Sequence, residues 1–140
     1  MSILQLCGRH VNTVPILATV ADAVQLMINN IVGAVAVVDD QGIVAGMFTE
    51  RDVLEKFALS GRDPHTTPVR ELMSPMVEMA TLETTPAEAL RVMLERHYRH
   101  MPVVDERGKV LGILSIRHIL EKRMDDLLQQ LETTHNSATA

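Results

Sequence analysis

The chain has 140 residues, 46% of them hydrophobic, and 13 Lys and Arg stand against 18 Asp and Glu for a formal charge of −5. That length suits one packed domain, the apolar content excludes a disordered chain, and the acidic balance argues against a general nucleic-acid or anionic-membrane surface. With no Trp, one Tyr and two Phe, stacking platforms for single-stranded nucleic acid are lacking, and the core falls to Val, Leu, Ile, Ala and nine Met.

At the N-terminal end no basic stretch precedes an apolar one, so no signal peptide is expected. Cys7 is the single cysteine, which leaves no internal disulfide and fits a reducing, cytoplasmic setting. It has no evident base partner and is expected to be a small buried hydrophobe. Next, Val20, Val24, Met27 and Ile31 recur at helical spacing. The run Ala34–Val38 is apolar and β-branched, DDQG at 39–42 is a turn, and 43–48 is the next strand. Thr49 opens a second helix expected to run to about Ser60. The longest apolar run, 31–38, is too short to span a bilayer.

Residues 61–75 carry Pro64, Pro68 and Pro75 and read as a connection. Beyond it the pattern returns. Residues 6–56 laid on 72–122 without a gap give sixteen identities in fifty-one positions. TVADAV faces TPAEAL, VVDDQGIVAG faces VVDERGKVLG, and RDVLEK faces RHILEK. One supersecondary unit is therefore built twice. The second copy predicts a helix over 86–97, with Pro86 at a tolerated first-turn position, strands over 101–104 and 110–114, and a helix from Ser115. VRELMSP at 69–75 matches the N-terminal LQLCGR region, so it is assigned to the second unit. The units are then 1–62 and 63–131, each too small to bury a full core alone. The last helix continues an apolar stripe through Leu120, Met124, Leu127, Leu128 and Leu131. Such a stripe needs a covering surface: its own core, or, as favoured here, a second copy in a homodimer. Residues 132–140 are expected to be a disordered tail.

The strand-ending segments GMFTERD at 46–52 and GILSIRH at 112–118, the VVD-x-x-G turns and the βαββα order, all present twice at one spacing, resemble a CBS-domain pair (a Bateman module) over roughly residues 4–123. The resemblance implies an α+β fold of tandem βαββα units packed about a pseudo-two-fold axis with two clefts. It also implies an adenine-containing ligand such as AMP, ADP, ATP or S-adenosylmethionine; the cations Arg99, His100 and Arg117 expected around the cleft favour AMP, ADP or ATP over S-adenosylmethionine or NAD. Thr49 and Asp52 would hold phosphate and ribose, Met47 would floor the base pocket, and Arg51 would stand beside them. Met79, Ala80, Arg99, His100, Met101 and Pro102 of the second copy would complete that cleft, and Arg117 would face the phosphates. The reciprocal cleft, built from Val14, Gly33, Ala34, Val35, Ser115 and His118, would be weaker.

From the residues alone, Thr49-x-x-Asp52 reads first as a capping box; the resemblance turns the preference to a hydroxyl and a diol-accepting carboxylate at a helix start, and both roles can coexist. In the second copy His118 replaces the carboxylate, and an imidazole cannot chelate a diol. His97 and His100 lack the partners of a metal site. No triad, paired carboxylates or Walker loop stands out, so no enzyme is expected. The expected function is adenine-nucleotide sensing relayed by conformational or oligomeric change to an unknown effector protein. The alternative is a structural homodimerisation module without a physiological small ligand.

Overall fold

The computed structural model describes residues 2–8, 10–75 and 78–139. The first copy contains β1 (Thr13–Pro15), α1 (Val20–Asn30), β2 (Ala34–Val38), β3 (Val44–Thr49) and α2 (Glu50–Asp52), which passes directly into a π-helical turn, Val53–Phe57. The second contains α3 (Pro86–Arg96), β4 (His100–Val104), β5 (Val110–Ser115) and α4 (Ile116–Thr139). The repeat is thus α+β and doubled, as its sequence predicts. α1 and α3 are each 11 residues long, and each ends on a left-handed residue, Ile31 or His97. β2–β3 and β4–β5 are antiparallel pairs with an irregularity at the same place, Val37/Val38 and Val103/Val104.

Three features depart from the sequence expectation. First, β1 pairs parallel with β2 over three residues, whereas among the described residues the second copy has a single parallel bridge there, Ala80 with Val103. Second, α4 runs through residue 139, over most of the segment expected to be a disordered tail; residue 140 lies outside the described residues. No Gly or Pro occurs between Ser115 and Thr139, so nothing stops a helix once it has been nucleated.

The third departure concerns the cores. One apolar cluster joins Val14, Val20, Ala23, Met27, Val35, Val37 and Phe48 to Val69 and Leu72. The other joins Ala80, Ala89, Met93, Met101, Val103 and Leu114 to Ile3, Leu6 and Cys7. The short 3-10 turn that leads each copy (Ile3–Leu6, Val69–Glu71) therefore packs on the other copy's sheet. The boundary at 62/63 divides the repeat, but it does not divide the packing. Between the lobes Ala34, Ala36 and Met47 meet Val110 and Ile113, and the hairpin turns meet where Val44 N–H donates to Gly108 O at 3.1 Å.

Candidate functional site

The end of β3 delivers Thr49 to the start of α2. Thr49 is extended, its Oγ1 accepts from Asp52 N–H at 3.2 Å, and Asp52 Oδ2 accepts from Thr49 N–H at 3.0 Å and from Thr49 Oγ1 at 3.2 Å. This is a reciprocal capping box. The other carboxylate oxygen, Oδ1, accepts from Ser74 Oγ at 2.8 Å and lies 3.0 Å from Lys56 Nζ. Lys56 also donates to Ser74 Oγ and to Leu72 O, both at 3.1 Å. Asp52 is 4% exposed, so its charge is compensated by a cation and three hydrogen bonds rather than by water. Ser74 is itself fixed by two backbone bonds to Met47, at 2.8 and 2.9 Å.

The second copy differs at each equivalent place. Ser115 Oγ accepts from His118 N–H at 3.4 Å, but His118 Nε2 is buried with no hydrogen-bond partner among the described residues. Gly8 stands where the first copy has Ser74, with open space around a notional Cβ. Lys122, the counterpart of Lys56, donates instead to the backbone oxygen of Gln5.

Arg51 of the first copy and Arg99 of the second line one cavity of about 210 Å³, together with Met93, Leu94, His97, Tyr98 and Ile116. Arg51 is held by Glu55 at 2.7 Å. Arg117, expected to face the phosphates, is instead exposed on α4, paired with Glu121 at 3.1 Å, and absent from the cavity wall; its long side chain follows the helix surface, where the (i, i+4) acid satisfies it. Met47, Ala80, Met101 and Pro102 are fully buried in the sheets, so Met47 belongs to the inter-lobe core rather than to an open floor. Met79 is 37% exposed. Of the reciprocal set, Val14, Ala34 and Val35 are core residues. Gly33 lies at the lobe junction, where a Cβ would stand 3.3 Å from Glu50 Oε1 and 3.4 Å from His100 Cε1.

His100 is wedged at that junction. Its Nδ1 is buried without a partner among the described residues. Burial lowers its pKa from the ordinary 6.5, Glu50 opposes the shift, and Arg99 adds to it. Burial likewise pushes the Cys7 thiol up to about 11, which makes it an unreactive core residue.

Sequence reasoning missed Ser74, Lys56 and Glu50. Lys56 carried a signal, four residues after Asp52 on one helix. Ser74 and Glu50 carried none, because their contacts join distant segments. Among the described residues no three or more His, Cys, Asp or Glu group as a metal site would require, and no helix is long and apolar enough to cross a membrane.

The CBS domain family model matches residues 4–59 and 69–125. A mitochondrial CBS domain-containing protein of Arabidopsis thaliana is 33% identical over 118 residues, covering 81% of this chain and 57% of the relative, so the chain spans little more than half of that protein. A putative signal-transduction protein with CBS domains from Burkholderia ambifaria is 32% identical, with a TM-score of 0.79 over 90% of this chain and 96% of that one. A CBS domain pair crystallised with 5′-methylthioadenosine and S-adenosyl-L-methionine shares the fold at 18% identity, with a TM-score of 0.78 over 90% and 98% of the two chains.

Proposed function

The chain belongs to the CBS-domain family, and from that premise we propose that it is a regulatory module that binds an adenine nucleotide (AMP, ADP or ATP) across its two lobes. The observation that supports this most is the cavity shared by Arg51 and Arg99, two guanidinium groups contributed by different copies. Guanidinium forks match phosphate oxygens. At about 210 Å³ the cavity falls below the roughly 300–1,000 Å³ of sites that enclose a whole ligand. It suits the phosphate end, with the nucleoside lying toward Thr49 and Asp52. A ligand anchored on both lobes favours one inter-lobe angle over others, which is the thermodynamic basis of a signal. The paired cations disfavour the sulfonium of S-adenosylmethionine, although one protein of the same fold binds that ligand.

In this proposal the protein is a cytoplasmic homodimer and not an enzyme, and it passes occupancy to an effector protein. Support for the dimer comes from the exposed stripe Leu120, Met124, Leu127, Leu128 and Leu131 on α4. The alternative, a structural dimerisation module without a ligand, is favoured by one observation: the Asp52 carboxylate already accepts three hydrogen bonds and pairs with Lys56 within the protein.

The test is a thermal-shift and calorimetric screen of AMP, ADP, ATP, S-adenosylmethionine and NAD on protein stripped of copurified nucleotide. A ligand at a hundred times its Kd adds about 2.7 kcal/mol of stability. Arg51→Ala and Arg99→Ala are expected to weaken AMP or ATP binding while sparing adenosine. No shift with any of the five compounds overturns the proposal in favour of the structural module.

A further inference from the structure

An ionised carboxylate offers about four lone-pair positions. At Asp52 three are filled by hydrogen bonds, two on Oδ2 from Thr49 N–H and Oγ1 and one on Oδ1 from Ser74 Oγ, and the Lys56 ammonium is ion-paired with Oδ1 at 3.0 Å. A ribose presents two hydroxyl donors side by side and needs two acceptor positions. The Oδ2 bonds close the cap that starts α2, and losing them unravels the helix start. The Oδ1 bonds come from side chains that can rotate away, and Lys56 keeps Leu72 O as a second partner.

We propose that Ser74 and Lys56 form a latch on Asp52 Oδ1 that a vicinal diol must displace in order to bind. The inference rests on the nucleotide reading above and adds to it a closed resting state and the residues that keep it closed. The latch belongs to one lobe only. The equivalent positions hold Gly8 and His118, and Lys122 turns to the Gln5 carbonyl. Because space is open around Gly8, sterics do not exclude a serine there. Ser74 also ties the inter-copy connection to β3 through the paired backbone bonds to Met47. Displacing its hydroxyl therefore weakens the hold of lobe one on the segment that leads into lobe two, which links occupancy to inter-lobe freedom.

The test is calorimetry on the 140-residue chain, stripped of copurified nucleotide, with adenosine and with 2′,3′-dideoxyadenosine, alongside amide exchange at Met47 and Ser74. A hydrogen bond to a charged group competes strongly. Ser74→Ala is therefore expected to bind adenosine about tenfold more tightly or better, to leave dideoxyadenosine unchanged, and to be returned to wild-type affinity in Ser74→Thr. In the wild-type protein, adenosine is expected to lower exchange protection at both amides. Lys56→Met, altered at a side chain 38% exposed, shifts adenosine affinity in the same direction and serves if Ser74→Ala fails to fold. Equal adenosine affinity in wild type, Ser74→Ala and Lys56→Met, with unchanged protection, overturns the latch and leaves the nucleotide reading standing. Binding by Ser74→Ala alone supports the latch. No adenosine binding by any of these proteins, or binding indifferent to Asp52→Ala, overturns the nucleotide reading and the latch with it.

Discussion

Asp52 and His118 occupy the same place in the two copies, and their chemistry separates the two clefts. A carboxylate in the buried first site gathers a hydroxyl and an ammonium around it, whereas an imidazole in the second leaves one nitrogen unpartnered. An unpaired buried polar atom is costly, which makes the second site the less settled of the two. His100 is the other half-buried imidazole with an unpartnered buried nitrogen among the described residues, and its pKa is lowered chiefly by desolvation. For a base with a depressed folded-state pKa the neutral form is the folded form. Its contribution is fully present above the unfolded value of 6.5 and is lost as pH falls below it. Wild-type protein is therefore expected to lose more thermal stability between pH 7.5 and 5.5 than His100→Leu, measured by circular dichroism. Equal losses would show that the Glu50 carboxylate at the junction keeps the protonated imidazole as comfortable in the folded chain as in water.

Three helices start on the same device: Thr19 with Asp22, Thr49 with Asp52 and Thr85 with Glu88 each form a capping box. That recurrence explains why Thr49-x-x-Asp52 is ambiguous in sequence. Each of these three pairs starts a helix, and at Asp52 the second carboxylate oxygen also accepts a hydrogen bond from another segment, from Ser74 Oγ. The exchanged 3-10 turns are the other element-scale feature. Ile3 and Leu6 of the leading segment are buried on the second lobe, each such side chain contributing about 1.5–3 kcal/mol. Leu6→Ala is expected to cost about 2–5 kcal/mol and to raise amide exchange in β4 and β5 more than in β2 and β3. The reverse order of exchange would mean that each copy carries its own leading turn in solution.

For the whole molecule, the pseudo-symmetry leaves apolar side chains exposed at equivalent places: Leu54 and Leu120, Ile28 and Leu94. α4 extends this surface beyond the repeat. Introducing charge into the stripe with Met124→Glu and Leu128→Glu is expected to convert a dimer into a monomer by light scattering without changing the circular dichroism of the fold. A doubly charged variant that still runs as a dimer would place the interface elsewhere. Much of this architecture was legible in the chain. The constant offset between copies marked every helix and most strands, because local periodicity, turns and caps depend on neighbours in sequence. The same logic assigned the 69–75 segment to the second unit, which is true of the repeat and not of the contacts. It also aimed Arg117 at the cleft, and in the structure that side chain pairs with Glu121 on α4, as Arg51 pairs with Glu55 on the first copy. The residues alone thus determined the duplicated unit, its family and a motif with one carboxylate. Tertiary structure decided which copy each leading turn packs on, what surrounds that carboxylate and which cations face a common cavity. Those outcomes depend on groups dozens of residues apart competing for the same buried space and the same lone pairs, and that competition is resolved only when the chain closes on itself.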